Sequence, residues 1–362
     1  MSRYSFALAS PEDDAGLRRR MAEDWMRGHL SVSFRREPSY FAGCEVQGER
    51  VEVVKCVDHT TGEIVGMGSR AIRTAFVNGV PQCVGYLADL RSHPSVRNST
   101  LLARGYRFLR TLHEASPVPL YYTVILDGNQ AAVESLTTSR AGLPQYRPLG
   151  RILTPAIHLD LPKPPIQSRG VQYERGREDT LPLIFEFIRR AHSRKQFAPL
   201  VRACPRSLSA EDFSVAIRDG LIVATAAAWD QRDFRQTHVE QYSRSLALLR
   251  PFYNLLAAMS PLKPLPAPGS AVPYFYLSWI AVEDNDPSLL RGLLRHIYRD
   301  RRNGPWHYCI AGLHESDPLA AALDDYRSIP AAGRLYVVHY EDGAAAFRSL
   351  DGRVPYVEMA TV

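Results

Sequence analysis

Cysteine is scarce in this sequence of 362 residues: there are five, and none forms a CxxC pair. Few, odd and scattered cysteines argue against a disulfide framework or a zinc site and are typical of a reducing cytoplasm. The sequence also lacks any run of about 18 apolar residues, so we expect no membrane span. Its N-terminus has no apolar segment and turns acidic at once, so we expect no secretory signal.

Several catalytic signatures are missing as well. The sequence has no GxxxxGK[ST], GxSxG or HExxH motif, which argues against ordinary nucleotide hydrolysis, a serine nucleophile turn and a zinc helix. One GxGxxA match occurs at residues 66–71. A dinucleotide fingerprint needs a helix directly after it, but the following residues alternate like a strand and end in the hairpin signal Asn78-Gly79. We therefore predict a strand there.

Composition and charge narrow the class of protein. With 45% apolar and 23% charged residues, the chain has the composition of a globular protein, and its length indicates two domains. The formal net charge of +6 favours anionic ligands such as phosphates. Nucleic acid is another anionic partner, but no zinc finger, helix-turn-helix pattern or aromatic-studded basic stretch indicates it.

A proline-rich stretch divides the chain. Residues 161–170, LPKPPIQSRG, carry no apolar period and are predicted to be a linker between domains at 1–160 and 171–362. Before the linker, the pattern from residue 86 to 159 indicates strand, helix, strand, helix and strand. The last strand of this pattern covers residues 151–159. The same order recurs after residue 274 with little residue identity, and DPLAAALDDY, residues 317–326, is predicted as its second helix. We therefore predict two mixed sheets, with the chain crossing between them at residues 161–170.

Two segments carry most of the functional information. YLADLRSHPSVRNSTLLARGYRFLRTLHE, residues 86–114, contains a strand, a His-Pro turn, a basic residue at Arg97 and an apolar-periodic helix. DGNQAA, residues 127–132, follows a buried strand and starts a helix. This arrangement resembles the acetyl-CoA-binding core of the GNAT acyltransferase superfamily. The resemblance covers roughly residues 4–159 by element order, and the second half matches by order alone.

The resemblance implies an α/β (α+β) fold of two tandem GNAT-like domains, each a mixed, mostly antiparallel sheet flanked by helices. In that family a bulged strand splays from its neighbour and its freed backbone groups pair with the pantetheine arm of the cofactor. Amides at the next helix N-terminus hold the pyrophosphate. The cofactor-binding residues implied here are Leu90, Arg91, Ser92, Arg97, Asn98, Ser99, Thr100 and Asn129.

The phosphate loop departs from the family pattern Arg/Gln-x-x-Gly-x-Gly/Ala. Thr100 and Leu102 stand where small residues are expected, and a leucine there could block the approach of phosphates. Asn98, Ser99 and Thr100 are nevertheless good helix caps, and the clash disappears if Leu101 and Leu102 face the core. We expect an altered but competent cradle. The alternative is a plain strand-to-helix connection that Ser99 caps.

Catalytic candidates come from the same resemblance. Acyl transfer to an amine needs a base for the ammonium proton and an acid for the leaving thiolate. Asp89 lies where a carboxylate often serves the family as base, and Tyr146 lies where a tyrosine serves some members as acid. Equally, Asp89 could order a strand end or pair with Arg91, and Tyr146 could pack under a loop. Residues 282–287 of the second half are acidic and would repel phosphates, so a structural or substrate-shaping role is expected there.

The sequence thus predicts an enzyme, an N-acyltransferase in the cytoplasm. It would use acetyl-CoA or another acyl-CoA as co-substrate, with no metal, and act on a small-molecule or peptide amine. The first domain is the expected cofactor binder and the second a degenerate copy. Two alternatives remain open. One is a CoA-independent transferase of tandem GNAT-like fold, either aminoacyl-tRNA-dependent or acting on long acyl chains. The other is a non-catalytic ligand-binding or scaffold protein.

Overall fold

Strands and helices alternate along most of the chain. The structure is a computed structural model that describes residues 2–26, 28–96, 100–137 and 143–362. The strands formed by these residues are β1 (Tyr4–Leu8), β2 (Leu30–Arg35), β3 (Arg50–Asp58), β4 (Glu63–Val77), β5 (Val80–Ser92), β6 (Tyr121–Leu126), β7 (Gln145–Leu153), β8 (Ala156–His158), β9 (Val171–Arg175), β10 (Phe213–Arg218), β11 (Leu221–Trp229), β12 (Gln236–Tyr242), β13 (Tyr274–Val282), β14 (Tyr308–Ala311), β15 (Leu313–His314), β16 (Ser328–Ile329) and β17 (Ala332–His339). The helices are α1 (Asp14–Glu23), α2 (Tyr40–Cys44), α3 (Leu101–Ala115), α4 (Gln130–Thr137), α5 (Leu181–His192), α6 (Arg244–Ala258), α7 (Pro287–Arg301) and α8 (Ala344–Arg348).

Two large sheets organise these elements. The first has the strand order β1-β3-β4-β5-β6-β17-β7-β15, and the second has the order β16-β8-β14-β13-β11-β10-β9. Among the described strands, β5 with β6 and β13 with β14 pair in parallel, and the other neighbours pair antiparallel. Helices α5 and α7 pack on the second sheet. The predicted class, mixed and mostly antiparallel sheets flanked by helices, is confirmed.

Each sheet contains a strand from the other half of the chain. β17, near the C-terminus, lies between β6 and β7 of the first sheet, and β8, from the first half, lies between β14 and β16 of the second. The two crossings meet, because the amide of Thr154 donates to the carbonyl of Ala331 at 2.7 Å. The chain therefore enters the second sheet just before residue 156, ahead of the stretch predicted as a linker. The division into domains at 1–160 and 171–362 stays a prediction.

Local sequence patterns correctly predicted β4 and the turn that joins it to β5. The GxGxxA segment lies in β4, as predicted from its alternation. Asn78 and Gly79 join β4 to β5 with φ angles of 51° and 82°, both in the left-handed region that a tight hairpin turn requires.

Other local expectations were wrong. The segment at residues 151–159, predicted as one strand, is split between β7 and β8, since Pro155 has no amide to continue a ladder. DPLAAALDDY, predicted as a helix, forms only a short 3-10 turn, Pro318–Ala322. Strands β2 and β12, which no local pattern predicted, form a separate two-stranded ribbon that links the two halves.

Gly85 marks the point where β5 meets β6. It lies opposite Tyr121, and a Cβ atom at this position would lie 2.0 Å from Cδ1 of the Tyr121 ring. Tyr121 itself is 1% exposed, so its ring has little room to move. The close approach of the two strands therefore requires glycine.

Replacing Gly85 with alanine should lower the free energy of unfolding by about 1–3 kcal/mol, because the added methyl forces Tyr121 or β6 to shift. Chemical denaturation measures this. The matched control is Gly352→Ala, where a Cβ meets no atom within 4 Å and the change should stay within about 0.5 kcal/mol. Equal stability of the two variants would contradict the close approach.

Candidate active site at the β5 bulge

A β-bulge interrupts β5 where the sequence placed the cofactor strand. Met67 of β4 lies opposite Arg91, and Ser69 lies opposite Ala88. Two residues of β5, Asp89 and Leu90, therefore face one residue of β4. Asp89 has a φ of 53°, in the left-handed region that is uncommon for a residue other than glycine. Such bulges redirect the strand and the side chains beyond it.

The bulge coincides with a separation of β5 from β6. The parallel ladder between these two fully described strands has two registered pairs, Gly85 with Tyr121 and Tyr86 with Tyr122. One step further, the hydroxyl of Thr123 donates to the carbonyl of Leu87 at 2.8 Å. Beyond this point β5 continues to Ser92 without pairing to β6. No other described strand pairs with β5 on this side, so its edge is open to an extended ligand as far as the described strands show.

Asp89 is held in an ion pair at the bulge. Its Oδ2 lies 2.6 Å from Nη2 of Arg36 and accepts a hydrogen bond from the hydroxyl of Tyr40 at 2.9 Å. The side chains of Arg36 and Asp89 are 2% and 11% exposed. The Arg36 guanidinium also lies over the Tyr40 ring, 4.7 Å from its centroid, and donates to Sγ of Cys44 at 2.8 Å. We call Asp89, Arg36 and Tyr40 the Asp89 cluster.

The second half of the chain contributes a cation next to this cluster. Arg235 precedes β12, and its neighbour Gln236 pairs with Arg35 at the end of β2, so Arg36 and Arg235 leave the ribbon at the same end. Arg235 donates to the carbonyls of Ala360 and Val362 at 2.9 and 2.6 Å. Burial, and then repulsion from Arg36, lower the pKa of Arg235 from its usual value.

The charges around Asp89 keep it ionised. Burial by itself raises the pKa of this carboxyl, but the attraction of Arg36, followed by that of Arg91 and Arg235, outweighs burial, and the pKa lies below its ordinary value. A general base works best with a pKa near the working pH. The pairing therefore favours a positioning role for Asp89 over proton abstraction. The sequence-based alternative of a pair with Arg91 is close to this arrangement, but the direct partner is Arg36.

The remaining strand residues predicted to bind cofactor lie beside the bulge. Leu90 is 44% exposed. Arg91 is partly buried, with Nε 3.5 Å from a carboxylate oxygen of Asp24, and Ser92 lies opposite Gly66. The bulge therefore brings Asp89, Leu90, Arg91 and Ser92 to one open strand end.

The phosphate loop is described only at its end. Three predicted residues lie outside the described part of the chain: Arg97, Asn98 and Ser99. Thr100 is exposed and directly precedes α3. Leu101 is 8% exposed and packs with Cys56 and Val65, and Leu102 is partly buried against the aromatic cluster around Tyr106. Both leucine side chains thus contact the core, which is the arrangement that a competent cradle needs.

Asn129 and Tyr146 are held in separate surroundings. The Oδ1 atom of Asn129 accepts from the amide of Ala132 at 3.2 Å and caps α4, beside a surface pocket of about 270 Å³. Tyr146 is 8% exposed, and its hydroxyl hydrogen-bonds to that of Tyr106. Burial, followed by Tyr106, raises the pKa of Tyr146 well above its usual value. A phenol with so high a pKa does not readily donate its proton, so a packing role suits Tyr146 better than acid catalysis.

The second sheet contains a matching bulge. Thr225 of β11 lies opposite Ala281, and Ala227 lies opposite Ser278, so β13 has one extra residue between them. Trp279, in that extra stretch, has a φ of 54°. The equivalence of Asp89 and Trp279 supports a duplicated architecture, although the residue types differ completely.

The chain itself fills this second bulge. Glu358 accepts a hydrogen bond from the amide of Trp279 at 2.6 Å, and the Tyr356 hydroxyl accepts from the amide of Ile280 at 3.0 Å. The Tyr356 hydroxyl donates in turn to Glu358 at 2.7 Å. The amides of Trp279 and Ile280 are therefore hydrogen-bonded to the C-terminal segment. The amide of Ser288 at the start of α7 is also occupied, because Oδ1 of Asp286 accepts a hydrogen bond from it at 2.8 Å.

Sequence reasoning missed Arg36, Tyr40 and Arg235. The sequence did contain a signal for the bulge, since a glycine inside a strand pattern, here Gly68, indicates a bulge or a close approach of the backbone. No local pattern connects Arg36 with Arg235, because their proximity depends on the ribbon between β2 and β12. Among the described residues, no group of histidine, cysteine, aspartate or glutamate is arranged to hold a metal ion.

Comparison with known proteins identifies the fold. No protein-family model matches the sequence, and no curated protein matches it. A solved N-myristoyltransferase from Saccharomyces cerevisiae with bound myristoyl-CoA is similar over 94% of this chain and 80% of its own, with a TM-score of 0.62 and 12% identity. A GCN5-related N-acetyltransferase from Sphaerobacter thermophilus is similar over 100% of this chain and 99% of its own, with a TM-score of 0.52 and 13% identity. The chain has the GNAT fold, which confirms the resemblance seen in its sequence.

Asp89→Asn should lower the free energy of unfolding by about 3 kcal/mol, because it leaves the buried Arg36 guanidinium without a countercharge. Tyr40→Phe is the matched control. It removes one hydrogen bond to the same oxygen, keeps the ion pair, and should cost about 1.5 kcal/mol. Urea unfolding at neutral pH compares the two. An Asp89→Asn variant as stable as the parent would contradict a positioning role.

The second bulge makes stability depend on pH. His192 lies between Trp279 and Tyr356, and burial lowers its pKa to about 4. The folded state therefore holds the neutral ring, and this contribution to stability is complete above the unfolded pKa of about 6.5. It is lost as the pH falls from there towards 4, and the loss reaches about 2 kcal/mol at about pH 5. The His192→Phe variant has no group that titrates at this position. Its free energy of unfolding should therefore decrease between pH 7 and pH 5 by about 2 kcal/mol less than that of the parent. An unchanged difference would contradict the assignment.

Proposed function

We propose that this chain is an N-acyltransferase that moves an acyl group from an acyl-CoA to an amine acceptor. The observation that carries the proposal is the open edge of β5 at the Asp89 bulge, followed by α3. The GNAT fold supports it, as does the bound myristoyl-CoA in the N-myristoyltransferase to which the chain is similar. The first half is the proposed cofactor site. The second half is the proposed structural partner, because its own side chains fill the equivalent bulge.

In the proposed complex, the pantetheine arm lies along β5 in place of the missing β6 pairing. Backbone groups of Leu90, Arg91 and Ser92 bind its amides, with Asn129 on the opposite side of the groove. The pyrophosphate lies at the N-terminus of α3, where the helix dipole favours negative charge. The proposed phosphate-binding residues are Arg97, Asn98, Ser99 and Thr100.

The proposed reaction joins the acceptor nitrogen to the thioester carbonyl carbon. The carbon–sulfur bond breaks, CoA leaves as a thiolate, and the proton lost by the amine balances the thiolate charge. Asp89, held by Arg36, keeps the bulge in shape at the thioester end. Acetyl-CoA and longer acyl-CoAs are both candidate donors, and a small molecule or a peptide is the candidate acceptor.

Thermal stabilisation by CoA, acetyl-CoA and longer acyl-CoAs tests the cofactor site. A ligand at about 100 times its dissociation constant should stabilise the fold by about 2.7 kcal/mol. Arg97→Glu should weaken binding by about 1–3 kcal/mol, because attraction to the phosphates is replaced by repulsion. The matched control is Arg107→Glu, the same charge reversal at an exposed position within α3, which should bind more nearly like the parent.

The outcome also separates the alternatives. No stabilisation by any CoA species would remove the acyl-CoA proposal and leave the CoA-independent transferase or the scaffold. Stabilisation that Arg97→Glu and Arg107→Glu reduce equally would place the cofactor elsewhere on this basic surface.

A further inference from the structure

Helix α6 presents a large apolar face to solvent. Its large apolar side chains recur at the three- and four-residue spacing that places them on one side of a helix. They are between 53% and 76% exposed. The six residues of this apolar face are Leu248, Leu249, Phe252, Leu255, Leu256 and Met259. A contiguous apolar surface of several hundred square ångströms on a folded protein marks an interaction site.

The opposite side of α6 is attached to the body by polar contacts. Arg250 donates to the carbonyl of Pro266 at 3.0 Å. Asn254 donates to the carbonyl of Leu265 at 3.1 Å, and the amide of Leu265 donates back to Asn254 at 2.8 Å. Ala257 is the buried apolar residue on this side. The helix is therefore oriented with its polar side inward and its apolar face outward, so the exposure follows from specific contacts.

The stretch of sequence around α6 carries charge of one sign. Residues 241–282 contain no aspartate or glutamate, whereas Arg244, Arg250 and Lys263 lie within this stretch. Arg244 is exposed at the first turn of α6, and Arg250 and Lys263 donate hydrogen bonds to the backbone carbonyls of Pro266 and Gly304. The nearest carboxylate before the stretch, Glu240, is already paired with Arg35 at 2.6 Å. A partner that covers this face should therefore combine an apolar interior with negative charge.

We propose that α6 docks this protein on an anionic lipid surface, with the helix lying in the plane of the membrane. A second copy of the chain fits less well, because its identical surface offers basic groups and no carboxylate from the same stretch. The 15 residues of α6 extend about 22 Å, and no described helix is long and apolar enough to cross a membrane. The apolar face enters the acyl boundary while the exposed Arg244 at the first turn contacts headgroups, as in interfacial helices.

Vesicle flotation with the full chain tests this proposal. We expect the protein to float with vesicles of phosphatidylcholine and phosphatidylglycerol, more weakly with phosphatidylcholine alone, and less at high salt. Phe252→Gln with Leu256→Gln should lower binding about ten-fold or more, because two apolar side chains no longer leave water. Arg244→Gln should weaken binding to the anionic vesicles only.

The matched control is Leu183→Gln with Leu221→Gln, which changes two leucines that are 58% and 70% exposed outside α6 and should float like the parent. Circular dichroism of each variant checks folding. Absence of flotation, or equal flotation of the α6 variant and the control, overturns the proposal. Self-association that disappears in the α6 variant, without vesicle binding, would assign the face to a second copy instead.

Discussion

The exchange of strands between the two halves is the constraint on which the rest of the molecule depends. β17 completes the first sheet and β8 completes the second, and the two crossings are hydrogen-bonded to each other. Neither sheet has its full set of strands without the other half. The exchange also leads the chain, after β17, to the C-terminal residues that contact Arg235 and the second bulge. Arg235, beside the Asp89 cluster, binds this segment through Ala360, and Glu358 lies in the second bulge.

The two bulges have the same backbone form but different surroundings. At Asp89 the strand edge beyond the bulge is open, and the nearby carboxylate is satisfied by Arg36 and Tyr40. At Trp279 the edge amides are hydrogen-bonded to Glu358 and Tyr356. A buried amide must find an acceptor, and the second half supplies one from its own chain whereas the first half leaves room for a ligand. This difference is the reason for proposing a single cofactor site, in the first half.

Local sequence patterns predicted what depends on neighbouring residues. Alternation identified β4, the Asn78-Gly79 turn identified its hairpin, and the order of elements after residue 86 led to the GNAT fold. Patterns could not reveal contacts made across the chain. The placement of β17 in the first sheet depends on pairing with β6 and β7, and the contact of Arg36 with Asp89 joins the residue after β2 to a residue of β5. A hydrophobicity pattern also cannot predict a buried arginine, because a charged residue is expected to be exposed unless a buried partner for it is identified.

We propose that the open edge of β5 binds an acyl-CoA while the equivalent edge of β13 does not. Amide hydrogen exchange of the full chain, with and without acyl-CoA, tests it most directly, because exchange slows where a ligand accepts the hydrogen bond. With acyl-CoA bound, we expect slower exchange at residues 88–92 and at the start of α3, and unchanged exchange at residues 279–282. Unchanged exchange at residues 88–92 in the presence of a bound acyl-CoA, or protection that appears at β13 instead, would contradict it.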